Sequence, residues 1–350
     1  MKRPLLIPSP LDGEPTSQTV IESSDWIPIG YDCTNRGPRV VWAKDVNLRG
    51  PFFPNASVRS RWLSASGRHL YTPFTSLMRQ SQLLAPHNPS GIIFHISRCG
   101  STLVTNALKC DPLVTVLAES ALIAGLFLDH LQAIRPPSRA ELLRAIITLF
   151  GHRSRTSQSG LTKVIVKCTA WDTLWIPEFR RVWPGVPFLI IIRDPSEVLV
   201  SNLRRPPAWL EERFFPKRVN ELLDVPLELL RDRTTSLEEF AAIAIGAQCR
   251  AAYRAIDDLC RIVDYQDLSG DAIARIAEWF SLDVRSNKDR VDTVLGIYAK
   301  DPNARQPFVE DTSTKRLECS KALETVTMKW ARTPYLCLRQ HPQAGCFTTR

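Results

Sequence analysis

Five short runs, Ile92–Ile96, Val114–Leu117, Lys163–Lys167, Phe188–Ile192 and Arg261–Tyr265, limit what this chain can fold into more than any other feature. They are mostly apolar and rich in Val and Ile, so they read as strands covered on both faces. Segments with helical signatures alternate with them. Ser138-x-x-Glu141 is a capping box ahead of Leu142–Phe150, and Ser236-x-x-Glu239 is another ahead of a segment to about Leu259. Ser269 can cap a helix through Phe280. Alternation of this kind predicts an α/β fold: a central parallel sheet flanked by helices on both sides. Ligands of such sheets sit at the carboxyl ends of the strands.

The first ninety residues follow another pattern. They hold many prolines and isolated aromatics (Trp26, Trp42, Phe52, Phe53, Trp62), with strand-like Arg39–Lys44 beside an Asn-Arg-Gly turn at 35–37. Residues 1–20 read as a loose tail and 21–90 as a small, partly β extension in which Pro73–Leu84 forms a helix. Pro-Phe-Phe-Pro at 51–54 reads as a packing plug, and 91–350 as the α/β domain.

The chain has 350 residues, 44% of them hydrophobic and 23% charged, enough to bury a large core. Its net charge of +9 suits an anionic partner. The Lys and Arg residues form no run of five or six, which argues against nucleic acid. Nine cysteines show no CxxC and no Cys/His metal spacing. The beginning, MKRPLLIPSPLDG, lacks a signal core, and no apolar run approaches a membrane span. The expectation is a cytoplasmic protein with free thiols that engages no membrane.

Chemistry is concentrated in Gly91–Leu108, where Ile92–Ile96 meets Ser97-Arg98-Cys99-Gly100-Ser101-Thr102 and a helical pattern follows. A buried strand that turns and opens a helix makes an anion site, because the first N–H groups of the helix point into the turn. Gly100 permits close approach, Ser101 and Thr102 add hydroxyls, and Arg98 adds a fixed positive fork. The Walker pattern GxxxxGK[ST] is absent: Gly100 is followed directly by Ser101, and the basic residue precedes the glycine.

Arg98-Cys99-Gly100-Ser101-Thr102-Leu103 resembles the 5′-phosphosulfate loop of sulfotransferases of the carbohydrate, tyrosylprotein and bacterial type, whose pattern is Pro-Arg-Ser-Gly-Ser/Thr-Thr-Leu. Ser97 stands for the Pro and Cys99 for the Ser; neither change removes a backbone donor, but a thiol is a weaker hydrogen-bonder. Arg193 ends the Phe188–Ile192 run and Ser201 follows eight residues later, matching the family's Arg and Ser that hold the donor's 3′-phosphate. Val263-Asp264-Tyr265-Gln266-Asp267-Leu268 is a weaker echo of the family's Tyr-Glu-Asp-Leu. The resemblance covers about residues 91–280.

It implies 3′-phosphoadenosine 5′-phosphosulfate (PAPS) as donor, its product PAP, no metal, and transfer of a sulfuryl group to a hydroxyl or amine of a small molecule or glycan. It gives donor binding to Arg98, Cys99, Gly100, Ser101, Thr102, Leu103, Arg193 and Ser201, with Arg98 also catalytic. Glu119, just past the second strand, is either the base that takes the acceptor's proton or a residue favouring the helix start near Ser120.

Asp194 reads as an N-cap rather than a magnesium ligand, with Pro195 at the first helical position and Glu197 closing a capping-box-like turn. His95 reads as a satisfied core histidine, Lys167 as an edge-facing cation able to touch donor or acceptor, and Trp171 and Trp175 as core by default, with the lining of an acceptor pocket as the alternative; His130 reaches a cleft only weakly. Lys300 and Arg305 are further candidate cations for the nucleotide, in a stretch without the family's Gly-containing loop. Two other functions remain open at this point: an ATP-dependent P-loop kinase or phosphotransferase, and a non-catalytic nucleotide-binding interaction protein.

Overall fold

The computed structural model describes residues 26–34, 37–43, 46, 69–127, 137–153, 162–231, 235–301 and 305–347. The tail at 1–20, the 51–54 plug, Trp62 and His130 lie outside the described residues.

Strands β1 (Ile27–Thr34), β2 (Gly37–Ala43) and β3 (His69–Pro73) form an antiparallel sheet in that order, followed by α1 (Phe74–Gln82). The β-character expected of this region holds, and Trp42 donates its indole N–H to Thr72 Oγ1 at 2.8 Å inside it.

The second sheet is built from β4 (Gly91–His95), β5 (Val114–Ala118), β6 (Lys163–Lys167), β7 (Phe188–Ile192) and β8 (Cys260–Asp264). All pairings are parallel, in the order β5-β6-β4-β7-β8. Every residue of β4, β5 and β7 is buried, so both faces are covered. The helices that flank the sheet are α2 (Ser101–Leu108), α3 (Ala121–Gly125), α4 (Arg139–Arg153), α5 (Ile176–Val182), α6 (Pro195–Arg204), α7 (Pro216–Leu223), α8 (Leu227–Arg231), α9 (Leu237–Arg254), α10 (Gly270–Trp279), α11 (Lys288–Leu295), α12 (Thr312–Glu318), α13 (Lys321–Thr327) and α14 (Thr333–Arg339). Strand limits differ from the sequence reading by one residue at most, and the fold class is the one expected.

Local sequence explains the helix ends. Ser138 and Glu141 form the complete box: Glu141 N–H donates to Ser138 Oγ at 3.3 Å, and Ser138 N–H donates to Glu141 Oε2 at 2.7 Å. The second box is half made. Ser236 Oγ accepts from Glu239 N–H at 3.1 Å, but the Glu239 carboxylate accepts from Lys329 and Trp330 instead of turning back. Helix α9 ends at Arg254, short of Leu259.

The strand order places the functional crevice. The chain leaves β4 toward β5 and β6 on one side, and leaves β7 toward β8 on the other. A crevice opens outside the carboxyl ends of neighbouring strands whose connections part in this way. The turn after β4 and Arg193 after β7 both border it.

Candidate active site

The turn after β4 has an unusual backbone. Ser97, Arg98 and Gly100 all take positive φ, at 72°, 48° and 82°. Successive residues of this kind turn their N–H groups toward a common point and make a concave anion seat. The N–H groups of Cys99 through Leu103 reach no backbone carbonyl among the described residues. Gly100 is required twice over, since its φ strains a side chain and a Cβ would lie 2.8 Å from the Tyr265 ring.

This turn forms one wall of a cleft of about 890 Å³. All nine residues assigned from the sequence border it: Arg98, Cys99, Gly100, Ser101, Thr102, Leu103, Glu119, Arg193 and Ser201. Their contributions differ. Arg98 lends one guanidinium N–H to Arg205 O at 2.6 Å. Cys99 turns its thiol into the sheet, where Sγ lies 3.2 Å from Ile191 O and burial pushes its pKa up to about 12. The Cys99 thiol is thus committed to the sheet and the residue is fully buried. Among the described residues Ser201 Oγ is buried without a hydrogen-bond partner.

Glu119 also has positive φ, 52°, and its carboxylate meets Lys167 Nζ. Burial alone would raise its pKa, but the Lys167 ammonium, helped by His95, brings it down to about 2. The carboxylate faces Lys167 rather than the amides that open α3. Lys167 is not an edge-facing cation: it is 1% exposed and reaches up from beneath the cradle to Glu119 and, at 3.3 Å, to Thr102 Oγ1. His95 is the satisfied histidine expected. Its Nδ1 accepts from Ser97 N–H at 3.1 Å, which leaves Nε2 to donate to Cys168 O at 3.1 Å. Burial and the Lys167 charge lower its pKa to about 3, so the ring is neutral.

Asp194 caps α6 as expected, accepting from Ser196 N–H at 2.9 Å. Glu197 does not close that turn. It is buried and accepts from Arg193 Nε at 2.7 Å and from Arg316 Nε at 3.2 Å, so two cations, one just ahead of the Asp194 cap and one on α12, hold its carboxylate in place of the turn's N–H groups. Arg193 also stacks over Tyr265 at 3.9 Å and donates to Asp311 Oδ1 at 3.2 Å.

Several bordering residues carry no recognisable sequence pattern. Asp172 follows β6 in a 3₁₀ turn (Trp171–Trp175); it is 2% exposed, and burial raises its carboxyl to about 7. Trp171 stacks on Trp209 with centroids 6.0 Å apart, and both border the cleft with Phe308 and Val309. Trp175 packs against Phe127 away from it. Lys300 borders the cleft, its pKa lowered to about 8 by burial and by the charges of Arg98 and Lys167, whereas Arg305 does not. Lys315 borders it too. Among the described residues no group of three or more His, Cys, Asp or Glu is placed to hold a metal, and no helix is long and apolar enough to cross a membrane.

No family model matches the chain, and no curated protein matches it. Among solved structures, the crystal structure of a sulfotransferase from Alicyclobacillus acidocaldarius is similar at 11% identity with a TM-score of 0.40, over 72% of this chain and 95% of that one.

Proposed function

We propose that this chain is a sulfotransferase that moves a sulfuryl group from PAPS to a hydroxyl or amine of a small molecule or glycan. One observation carries the reading: an anion seat whose N–H groups reach no backbone carbonyl among the described residues borders the same cleft as Arg193 and the Ser201 hydroxyl, which has no hydrogen-bond partner among them. These groups suit a nucleotide with phosphate at two places. Residues 99–103 and Arg98 would hold its 5′ end, and Arg193 with Ser201 its 3′-phosphate. When bound, PAPS supplies an activated sulfuryl group and a phosphate leaving group.

The chain's own contribution is orientation and charge stabilisation. Backbone N–H groups of 99–103 and the Arg98 guanidinium would stabilise the negative charge that grows on the leaving oxygen, and removing one such donor costs about 100- to 1,000-fold in rate. Glu119 is ionised at every working pH and takes the acceptor's proton. Lys167 sets how readily it does so, because the ammonium is shared between Glu119 and Thr102. As the ammonium turns toward Thr102, the proton affinity of Glu119 rises.

The test measures PAP release from PAPS with a mixed panel of phenols, sugars and amines. Arg98→Ala and Glu119→Gln should each lower turnover by about 100-fold or more. PAP release that both variants leave unchanged contradicts the assignment.

A further inference from the structure

The wall of the cleft around Arg193 already holds an anion, and it belongs to the protein. Asp311 bridges two cations: Oδ1 lies 3.2 Å from Arg193 Nη2 and Oδ2 lies 2.7 Å from Lys315 Nζ. The side chains of those cations are only 5% and 7% exposed, whereas Asp311 is 44% exposed. The positive half of the arrangement is therefore built into the molecule, and the negative half sits on its solvent side.

Charge balance points the same way. Arg193, Lys315 and Arg316 converge here, and among the described residues the carboxylates they pair with directly are Asp311 and the buried Glu197. Without Asp311 this leaves a surplus of two positive charges. A carboxylate halves that surplus; a phosphate monoester, close to a dianion at neutral pH, cancels it. Asp311 precedes α12 and its side chain makes no capping bond to that helix; its pairing with Lys315 is an i,i+4 contact within its own segment, whereas its reach to Arg193 crosses 118 positions of sequence.

We propose that Arg193 and Lys315 form a phosphate-monoester subsite in which Asp311 is the resident anion, displaced when the 3′-phosphate of the nucleotide binds. The inference rests on the nucleotide reading above and adds two residues to it: Lys315 as a second phosphate ligand, and Asp311 as the competitor that sets affinity. Binding then requires the Asp311 contact to open, so apparent affinity is reduced by the fraction of molecules already open.

Calorimetric titration of the full chain with PAP, 5′-AMP and inorganic phosphate tests this, with thermal melts to confirm folding. Asp311→Asn and Asp311→Ala should each tighten PAP about 10-fold or more while 5′-AMP stays within about twofold. Lys315→Met should weaken PAP about 10-fold, the direction expected when one charge-assisted contact is lost. If both Asp311 variants leave PAP within about twofold, or tighten 5′-AMP equally, the resident-anion assignment is overturned while PAP binding itself stands. If inorganic phosphate binds more tightly to the Asp311 variants but PAP gains nothing over 5′-AMP, the subsite stands and the 3′-phosphate reading fails. Loss of PAP and phosphate binding in every form overturns both.

Discussion

Asp172 and Glu119 are two carboxylates on one cleft whose surroundings push their proton affinities in opposite directions, to about 7 and about 2. For Asp172 the folded value lies above its ordinary 3.8, so its contribution to stability is fully present below about pH 4 and is lost as the pH rises through 7. A tenfold change in proton affinity is worth about 1.4 kcal/mol. Asp172→Asn, which fixes the neutral form, should melt above wild type at pH 8 and lose that advantage by pH 4; an advantage that does not change with pH contradicts the account. Glu119 has the opposite sign. Its stabilisation is present above about pH 4.5 and is lost as the pH falls toward 2. That Arg98 to Leu103 border the cleft is legible in the sequence because strand, turn and helix start are a local pattern; Glu119 comes from its place after a strand, and the pairing of Arg193 with Ser201 comes from the family resemblance. Asp311 and Lys315 are not legible, since Asp311 meets Arg193 across 118 positions of sequence and no local pattern marks the pairing. Glu197 departs from its expected capping role for a related reason: its carboxylate is held by Arg193 and by Arg316, and Arg316 stands 119 positions away.

At the scale of elements, the central strands carry both stability and site. Phe94 of β4 meets Phe179 of α5 and Phe188 of β7 edge-on, with centroids 5.2 and 5.3 Å apart. It is fully buried, a few residues before the turn that bears the anion seat. Phe94→Ala should cost about 3–5 kcal/mol in denaturant unfolding, a loss within about 1 kcal/mol showing that the core there yields. These strands are readable to within one residue, because a strand buried on both faces is an unbroken Val/Ile-rich run. Strand β1 is not. Pro28 and Gly30 interrupt it, and its register against β2 shifts between those two residues, so neither composition nor alternation marks it. The 3₁₀ turn at Trp171–Trp175 likewise follows no apolar period, and it brings Asp172 to the cleft.

Across the whole molecule, the net charge of +9 has a local expression. Among the described residues six Lys or Arg side chains border the cleft against four Asp or Glu, a positive excess that favours anions. The apolar side, formed by Trp171, Trp209, Phe308 and Val309, offers an acceptor a surface of different chemistry from the cationic side. The division suits a reaction in which an anionic donor and a less charged acceptor meet at Glu119.

Everything else depends on the cleft selecting a nucleotide with a 3′-phosphate and needing no metal. Calorimetric titration of the full chain with PAP and, separately, with ATP and magnesium measures this directly. PAP should bind more tightly, and Arg193→Ala should lose that preference. Tighter binding of ATP with magnesium, or a preference for PAP that Arg193→Ala leaves intact, would contradict the sulfotransferase reading.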